Sequence, residues 1–454
     1  MNTPPSALSG DLRQVAWQMI RAALEAVEPA AAVKNYFGSR PDLISQIKAT
    51  SGRLIVVGAG KAGAPMAAAI EEIFGDKITT GHVIVKYGYA SPKSKIHARR
   101  GSPKSKIFVV EAGHPIPDEA GLRAAQEIAS LLRETGPDDT IICLISGGGS
   151  ALLTLPAEPL TLNDLQAATT ALLAAGATIN QVNTLRKHLS AVKGGRLAQI
   201  AAPANVYALI LSDVVGDPLE VIASGPTVPD PTTFADAWAI VEQFQLQHTL
   251  PEAVIRRLRA GLAAEVADTP KPGDLIFERV HNIIIGSNRL AAQAAVKAAQ
   301  QAGFEARLLT TFLEGEAREV GKVIAALAKG LARDEGSLLR PACLVLGGET
   351  TVTLRGHGRG GRNQEMALAA ALALAGWSNL LITCFGTDGS DGPTDAAGAF
   401  ADGQTVGRAQ AIGLVPVEYL QRNDAYNFFA ALDDLILTGP TNTNVNDLTF
   451  ILVG

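Results

Sequence analysis

Short runs of aliphatic and β-branched residues alternate with alanine-rich stretches along almost the whole chain. Such runs are typical of buried strands, and the stretches between them are long enough for helices. This alternation predicts an α/β protein with parallel sheets that carry helices on both faces. The ten candidate strands are 54–57, 82–85, 107–110, 140–145, 206–211, 282–285, 305–309, 342–346, 380–385 and 448–453. Because ligands bind such sheets at the carboxyl ends of the strands, we expect functional residues in the loops that follow them.

The 454 residues are enough for roughly two to four domains. Two proline-containing polar segments, VPDPTTF and ADTPKPGD, flank a pair of predicted helices near the middle of the chain. They predict an N-terminal domain of residues 1–245 and a C-terminal domain of residues 246–454. The last strand, LTFILV, fits the sheet of either domain.

The composition predicts a soluble, cytoplasmic protein. The chain carries 39 basic and 44 acidic residues, and its net charge of −5 excludes a general attraction to nucleic acid or to anionic membranes. No signal peptide or membrane-spanning run is visible. Cys143, Cys343 and Cys384 lie in or beside predicted strands, as expected of small buried side chains in a reducing compartment. The duplicated sequence SPKSKI, at 91–96 and 102–107, predicts a lengthened surface loop.

A glycine turn follows the first strand in the sequence LIVVGAGKAG. Gly58, Gly60 and Gly63 fit the GxGxxG pattern of a dinucleotide-binding turn between a strand and a helix. A site for NAD also needs an acid at the end of the second strand, where this chain has Lys86. The turn still offers N–H groups at a helix N-terminus, and Lys61 adds a positive charge. Phosphate or carboxylate binding is therefore the interpretation we favour over NAD binding or glycines that serve packing alone.

A second glycine turn, ISGGGSALL, follows the fourth strand. Three consecutive glycines, flanked by Ser146 and Ser150, allow the backbone to form a concave row of N–H donors for phosphate oxygens. The sequence lacks the Gly-Lys-Ser/Thr ending of a Walker A loop. Glycine-rich turns also occur for packing reasons, so both interpretations stay open.

Basic residues crowd the segment NTLRKHLSAVKGGRLA, which contains Arg186, Lys187 and Lys193. A solvated basic helix face and a phosphate site are both consistent with this pattern, and the Gly194-Gly195 pair favours the second. In the second half of the chain, the glycine-rich loop GHGRGGRNQE brings Arg359 and Arg362 to a helix start, an arrangement that suits a polyphosphate.

Carboxylates follow several of the predicted strands. Asp213 follows the fifth strand, Glu349 follows the eighth, and Asp388 and Asp391 lie in the loop GTDGSDGPTDAAGA after the ninth. Carboxylates at strand ends bind Mg²⁺ or accept a proton from an alcohol, although a solvated acidic turn would show the same pattern. Together with the glycine turns, they match the groups that phosphoryl transfer requires.

These motifs resemble the glycerate 2-kinase family that contains a MOFRL region. The resemblance rests on GAGKAG, GHPIPDEAG, SGGGSALL, RKHLSAVKGG, SDVVGDPLEVIASGPT, GGETTV, GRGGRNQE, GTDGSDGPTDAAGA and GPTNTNVND, in this order, from about residue 15 to the end of the chain. It implies a Rossmann-like parallel-sheet N-terminal domain, a smaller α/β C-terminal domain with the MOFRL region at about 340–447, and an active site in the cleft between them. Two residues depart from the family pattern: Ala425 stands where we expect Ser, and Asn442 where we expect Gly.

The resemblance implies transfer of the γ-phosphoryl group of ATP to the 2-hydroxyl of D-glycerate, with Mg²⁺. The important lysine and arginine of the family fall on Lys61 and Arg362. Our candidate catalytic residues are Lys61, Arg362, Asp213 and Asp388, and the candidate metal ligands are Asp213, Asp388 and Asp391. The candidate substrate- or phosphate-binding residues are Gly58, Gly60, Gly63, Ser146, Gly147, Gly148, Gly149, Ser150, Arg186, Lys187, Lys193, Glu349, Arg359 and Asn363.

The expected partners are D-glycerate and ATP, without nucleic acid or membrane. The sequence does not fix the oligomeric state, and a homodimer is one possibility. Two other functions are consistent with parts of the pattern. An NAD(P)-linked hydroxypyruvate reductase would use the first glycine turn for a dinucleotide, but it predicts an acid where Lys86 stands, unless that lysine binds a 2′-phosphate. A non-catalytic sensor of phosphorylated sugar acids would keep the anion sites but does not need Lys61, Arg362 and the aspartates together.

Overall fold

The computed structural model describes residues 12–90, 105–335 and 338–454, so most of the SPKSKI duplication lies outside the described residues. The chain divides into two compact units. The unit that we call the parallel-sheet domain consists of Pro29–Ser212 and Asp217–Ile285. The unit that we call the mixed-sheet domain consists of Met1–Glu28, Asp213–Gly216 and Gly286–Gly454.

Strands and helices alternate along the chain, as the sequence predicts. The strands are β1 (Leu54–Ala59), β2 (Ile78–Lys86), β3 (Ile107–Ala112), β4 (Thr140–Ile145), β5 (Asn205–Leu211), β6 (Val280–Gly286), β7 (Glu305–Leu313), β8 (Ala342–Gly348), β9 (Leu380–Gly386), β10 (Gly398–Asp402), β11 (Leu435–Ile436) and β12 (Asp447–Val453). The α-helices are α1 (Leu12–Ala26), α2 (Pro29–Gly38), α3 (Pro41–Ala49), α4 (Gly63–Phe74), α5 (Glu119–Arg133), α6 (Gly149–Leu152), α7 (Leu162–Ala174), α8 (Ile179–Leu189), α9 (Arg196–Ala201), α10 (Phe234–Gln243), α11 (Glu252–Leu262), α12 (Asn288–Gln301), α13 (Ala317–Ala332), α14 (Arg362–Leu374), α15 (Thr405–Ala411), α16 (Pro416–Gln421) and α17 (Ala425–Ala430).

The parallel-sheet domain has a six-stranded sheet in the order β3-β2-β1-β4-β5-β6. Strands β1 to β5 pair in parallel, which confirms the predicted Rossmann-like architecture. The central strands β1 and β4 consist of apolar residues except for Thr140 and are buried along their whole length. The strand order reverses between β1 and β4, and this switch point is where α/β sheets bind ligands.

Helices α7, α8, α10 and α11 of the parallel-sheet domain form a hydrophobic core of their own, which includes Leu172, Leu185, Val241 and Leu258. Helices α7, α8 and α10 each begin with a threonine whose hydroxyl and backbone bond reciprocally with the residue three positions on, a capping box. In α8 these residues are Thr178 and Gln181. Helix α8, which carries the basic cluster, is therefore fixed at its start and along its apolar face.

The mixed-sheet domain has strands in the order β11-β10-β9-β12-β8-β7. The prediction of a parallel sheet is wrong here, because β12 runs antiparallel between β8 and β9. The run LTFILV is buried at every residue, as a central strand requires. Strands β10 and β11 were not predicted from the sequence, since GAFAD is rich in small residues and β11 spans only two residues. Inserting β12 brings its first residue, Asp447, beside the carboxyl ends of both neighbours.

The compact units divide the chain differently from the predicted boundary at residue 245. Strand β6 lies beside β5, so the chain remains in the parallel-sheet domain as far as Ile285. Helix α1 belongs to the mixed-sheet domain, where Arg13 donates to Asp434 (2.5 Å) and Trp17 packs edge-on against Phe400. Contacts of distant sequence segments thus set the domain limits, and proline-rich segments do not mark them.

All three cysteines are free and buried, as expected, and burial raises the pKa values of the Cys143 and Cys384 thiols to about 12. Asn442, which replaces an expected glycine, has a φ of 60°, a left-handed conformation that asparagine tolerates better than most residues. Over the three described ranges, none of the helices is both long and apolar enough to cross a membrane.

The packing of α13 on α14 depends on a glycine. A Cβ atom on Gly321 would lie 2.4 Å from the carbonyl oxygen of Met366 in α14, whereas a Cβ atom on Gly407 in α15 would meet nothing within 4 Å. We expect Gly321→Ala to lower the free energy of unfolding by about 1–3 kcal/mol because the helices must separate. The matched control Gly407→Ala should be neutral or stabilising by up to about 1 kcal/mol. Thermal denaturation of both variants tests this, and equal midpoints would contradict the packing described.

Candidate functional site

Lys61 and the SGGGS sequence lie together at the switch point of the parallel-sheet domain. Lys61 follows β1, the SGGGS turn follows β4, and these strands are neighbours at the point where the strand order reverses. The Lys61 amide donates to the carbonyl of Gly147 (2.8 Å), and the Ala62 amide donates to the hydroxyl of Ser146 (3.0 Å). The two predicted glycine turns therefore form one structural unit.

The backbone of the first glycine turn is committed to the protein. The amides of residues 60 to 63 all donate to protein oxygens: Gly60 to Ile84, Lys61 to Gly147, Ala62 to Ser146 and Gly63 to Gly60. A Cβ atom on Gly58 would lie 2.3 Å from the carbonyl oxygen of Leu144, so this glycine allows close packing of β1 on β4. Hence the turn has few N–H groups left for a phosphate, and its capacity to bind an anion rests on the Lys61 side chain.

The second glycine turn keeps donors available. Gly148 adopts a φ of 83°, and the Gly149 amide closes the turn on the carbonyl of Ser146 (3.1 Å). Within the described part of the chain, the amides of Gly147, Gly148 and Ser150 have no hydrogen-bond acceptor. Successive free amides of this kind form anion-binding concavities.

His114 lies against the same turn and was missed in the sequence. A Cβ atom on Gly148 would come within 2.9 Å of the His114 ring and 3.5 Å of Lys61 Cγ, so all three residues are neighbours. Burial and the charges of Lys61 and Lys86 lower the pKa of His114. His114 could have been identified from its position in GHPIPDEAG, two residues after β3. Residues that follow a strand of a parallel sheet are expected to lie near its ligand.

The three predicted basic residues of α8 and its following loop have different surroundings. Lys187 is buried and forms an ion pair with the buried Asp230 (3.2 Å). Lys193 is buried and donates to the carbonyls of Ser150 (2.6 Å) and Leu153 (3.0 Å), and burial together with the charge of Arg186 lowers its pKa to about 7. Lys187 and Lys193 thus hold the loops together, and phosphate binding by either lysine stays a prediction.

Arg186 is the exception within this cluster. It is largely buried, its burial lowers its pKa, and it forms no hydrogen bond or ion pair with any described residue. Lys61 likewise has no side-chain partner among the described residues. The switch point therefore presents two cationic side chains to which the described part of the chain supplies no counter-charge.

Hydroxyl and amide groups complete this surface. The Ser150 and Ser224 hydroxyls lie 2.8 Å apart, and the Ser224 hydroxyl donates to the side-chain oxygen of Asn183 (3.0 Å). Ser224 and Ala223 both have positive φ values, 60° and 52°. Non-glycine residues in this region are strained, and such strain is common at functional sites.

The mixed-sheet domain contains a second candidate site, a cavity of about 1000 Å³. It is lined by the residues after β8, the glycine-rich loop 356–361, the first residue of α14 and the loop after β9. The predicted residues Glu349, Arg362, Asp388 and Asp391 line it, and so does Ala425. Thr350 lines it too, and its buried hydroxyl has no partner among the described residues.

Arg362 is held by two carboxylates. Its guanidinium donates to both oxygens of Asp447 (2.5 and 3.0 Å) and to Glu349 (2.7 Å), and Glu349 also accepts from the Asn446 amide (2.7 Å). Burial would lower the pKa of Arg362, but the carboxylates of Asp447 and Glu349 hold it above its usual value. Two of its five N–H groups remain for a ligand. Asp447 was missed in the sequence because its position depends on where β12 enters the sheet.

Asp391 has a structural role that differs from its predicted metal binding. It is buried, and its two oxygens accept hydrogen bonds from the amides of Asn363 (3.1 Å) and Gln364 (2.8 Å) in the first turn of α14. Burial raises its pKa to about 7, against the effect of these donors. The predicted residue Asn363 is also buried and donates to Asp391 from its side chain (3.3 Å). The start of α14 is thus occupied by a protein carboxylate.

The remaining predicted residues of the mixed-sheet domain are Asp388, Arg359 and Asp213. Asp388 is exposed, and its Oδ1 accepts from the amide of Ser390 (3.0 Å). Arg359 is exposed and stacks on the ring of Tyr426 (4.1 Å), so the structure does not bring it into the cavity lining. Asp213 begins the segment Asp213–Gly216 of the mixed-sheet domain, in which Val215 lines the cavity. Across the three described ranges, no group of three or more His, Cys, Asp or Glu side chains is arranged to hold a metal ion.

The fold and these side chains define a two-domain α/β protein with cationic side chains and free backbone amides at the switch point of one sheet. Comparison with known families is consistent with this class: the family described as "Domain of unknown function (DUF4147)" matches residues 15–259, and the MOFRL family matches residues 342–447. The chain belongs to the DUF4147- and MOFRL-containing glycerate 2-kinase family.

Individual relatives cover nearly the whole chain. A D-glycerate 2-kinase from Thermotoga maritima is 41% identical over 442 residues, which is 97% of this chain and 98% of the relative. A relative from Agrobacterium vitis, 44% identical over 97% of this chain and 94% of its own length, carries the provisional name hydroxypyruvate reductase. The crystal structure of a glycerate kinase from Thermotoga maritima matches with a TM-score of 0.87 and 41% identity, covering 98% of this chain and 99% of that one.

Because Arg362 forms ion pairs with Glu349 and Asp447, we expect its side chain to contribute to the stability of the fold. Lys61 has no side-chain partner among the described residues, so we expect no such contribution from it. Arg362→Ala leaves the buried Asp447 without a counter-charge, so we expect the mixed-sheet domain to lose about 3 kcal/mol of unfolding free energy. Adding Asp447→Asn to that variant should recover part of the loss, because no buried charge is then left unpaired. Lys61→Ala should leave the thermal midpoint within about 1 °C of wild type. A midpoint for Arg362→Ala equal to that of Lys61→Ala would contradict the ion-pair arrangement.

Proposed function

We propose that this protein is a glycerate 2-kinase that transfers the γ-phosphoryl group of ATP to the 2-hydroxyl of D-glycerate, giving 2-phosphoglycerate. The observation that carries the proposal is the position of the Lys61 side chain, which has no partner among the described residues, beside the SGGGS turn and its free amides at the switch point of the parallel sheet. The names of the Thermotoga maritima relatives support the same activity. Assignment of the 2-hydroxyl rests on the name D-glycerate 2-kinase.

The switch-point surface is suited to charge that develops on a transferring phosphoryl group. In phosphoryl transfer, negative charge spreads over the three equatorial oxygens, and catalysis consists mostly of positioning and of stabilising that charge. Lys61 supplies a positive charge, and the amides of Gly147, Gly148 and Ser150 supply oriented dipoles. We infer that Lys61 contacts the transferring group and that the neighbouring neutral His114 donates or accepts a hydrogen bond there.

The cavity of the mixed-sheet domain supports a role in nucleotide binding. Its volume of about 1000 Å³ is at the upper end of the usual range for ligand pockets. Arg362 has two N–H groups free for phosphate oxygens, and Glu349 and Asp447 fix the orientation of its guanidinium. The unpaired Thr350 hydroxyl is a further contact for a phosphate. The position of the active site between the domains, which the family resemblance implies, stays a prediction.

Magnesium fits this donor set only in part. Asp391 does not fit, because both of its oxygens accept hydrogen bonds from the start of α14. Asp388 fits, because it is exposed and its Oδ2 has no hydrogen bond within the described residues. Proteins usually hold Mg²⁺ through one or two carboxylates and the phosphates of the substrate, and the ion neutralises phosphate charge when bound. Asp213 and Asp388 remain our candidates for a metal ligand or for the base that accepts the proton of the 2-hydroxyl.

A coupled assay tests the proposal. Purified protein is mixed with D-glycerate, ATP and Mg²⁺, and the product is coupled to enolase and pyruvate kinase without phosphoglycerate mutase, so that only 2-phosphoglycerate gives a signal. We expect a signal for wild type. For Lys61→Ala we expect a loss of at least about 10³-fold in kcat/KM, because the substitution removes the positive charge that stabilises the transferring phosphoryl group. Lys48→Ala, which changes an exposed lysine on α3, is the matched control and should keep wild-type activity.

A parallel reaction with hydroxypyruvate and NADH or NADPH tests the reductase. Strand β2 ends at Lys86, and the first glycine turn has its amides bonded to protein, so we expect no oxidation of either cofactor. Oxidation in this reaction without kinase activity would contradict the proposed function. Wild-type activity in Lys61→Ala would remove Lys61 from the mechanism.

A further inference from the structure

Arg186 is a largely buried cation for which the described residues provide no counter-charge. Another cation lies near it, since the charge of Arg186 contributes to the lowered pKa of the buried Lys193. Burying a guanidinium without a hydrogen-bonding partner costs free energy. A bound anion offsets this cost because it supplies both the counter-charge and the hydrogen-bond acceptors. The surroundings of Arg186 therefore suit an anionic ligand.

The helix around Arg186 is held in place on both sides of it. Lys187 is fixed by Asp230, and the buried ring of His188 lies between the carbonyl of Thr184 (2.8 Å) and the carboxylate of Asp268 (3.0 Å). Leu185 belongs to the core that α8 forms with its neighbouring helices. Because these neighbours are fixed, the base of the Arg186 side chain has a defined position and direction. A ligand that binds it does not have to order the helix first.

The polar groups near Arg186 are suited to a small hydroxy acid. Asn183 lies one turn earlier on the same face of α8, and the Asn183 oxygen accepts from Ser224, so its NH₂ group is left as a donor. The Ser150 hydroxyl is bonded to Ser224, and the next residues of that turn lead to Gly148 and Lys61. Arginine, amide and hydroxyl groups therefore follow one another from α8 to the SGGGS turn.

We propose that Arg186 binds the carboxylate of the acceptor substrate and thereby selects hydroxy acids over uncharged polyols. This inference rests on the proposed kinase function. It assigns the two negatively charged groups, the substrate carboxylate and the transferring phosphoryl group, to two different cations, Arg186 and Lys61. The planar guanidinium matches a carboxylate through two parallel hydrogen bonds, whereas the point charge of Lys61 beside free amides suits a phosphoryl group. An uncharged polyol would leave Arg186 buried and unpaired, which is why the site should reject it.

The test compares D-glycerate with its uncharged amide, glyceramide, in wild type and in Arg186→Gln, with ATP consumption as the readout. Wild type should prefer D-glycerate in kcat/KM by about 10³-fold or more. In Arg186→Gln the preference should fall by about 100-fold or more, through a raised KM for D-glycerate, while kcat/KM for glyceramide stays within about threefold. The KM for ATP should not change. Arg256→Gln, on the exposed face of α11, is the matched control and should behave like wild type.

A second readout does not depend on turnover. D-glycerate alone should raise the thermal midpoint of wild type but not that of Arg186→Gln, because ligand binding to the native state stabilises it. Arg186→Lys keeps the charge but loses the two parallel bonds, so it should show an intermediate preference for D-glycerate. This conservative variant replaces Arg186→Gln if the latter does not fold.

Three outcomes would overturn the inference. An unchanged preference in Arg186→Gln would mean that Arg186 does not contact the carboxylate. A raised KM for ATP with an unchanged KM for D-glycerate would assign Arg186 to a nucleotide phosphate. An equal loss with D-glycerate and glyceramide would make its role structural. Failure of the proposed function is distinguishable, because wild type would then show no kinase activity while the midpoint shift with D-glycerate still reports on Arg186.

Discussion

The hydrogen bonds between the two glycine turns of the parallel sheet are the constraint on which the rest of the switch-point site depends. The amides of Lys61 and Ala62 bond to Gly147 and Ser146, which closes the first turn against the second. This is possible because β1 and β4 are neighbours although about 80 residues separate them. The first turn therefore uses its backbone for structure, and its lysine side chain and the amides of the second turn remain for a ligand.

The candidate site cations have different surroundings in the two domains. In the mixed-sheet domain, Arg362 is neutralised by Asp447 and Glu349, and the start of α14 is neutralised by Asp391. In the parallel-sheet domain, Lys61 and Arg186 have no carboxylate among the described residues. Since an unpaired, partly buried cation favours an anion, this difference supports our proposal that the parallel-sheet domain makes the most direct contacts with an anionic ligand. Arg362 retains only part of its hydrogen-bonding capacity for a ligand.

The sequence predicts the elements better than the contacts between them. All ten predicted strands exist, and Lys61 could be identified because glycines, strand and helix follow one another locally. Asp447 could not be identified, because its importance depends on β12 entering the sheet between β8 and β9. Likewise, Arg186, Lys187 and Lys193 look alike in the sequence. Only the tertiary contacts with Asp230 and with the carbonyls of Ser150 and Leu153 distinguish the paired lysines from the unpaired arginine.

The central claim is that the unpaired cations at the switch point bind the anionic substrate. A crystal structure of the wild-type protein with D-glycerate tests it most directly. The account predicts electron density for glycerate beside the SGGGS turn, with its carboxylate oxygens within hydrogen-bond distance of the Arg186 guanidinium and the ligand within reach of Lys61. Glycerate bound only in the cavity of the mixed-sheet domain, with Arg186 contacting no ligand atom, would contradict the account.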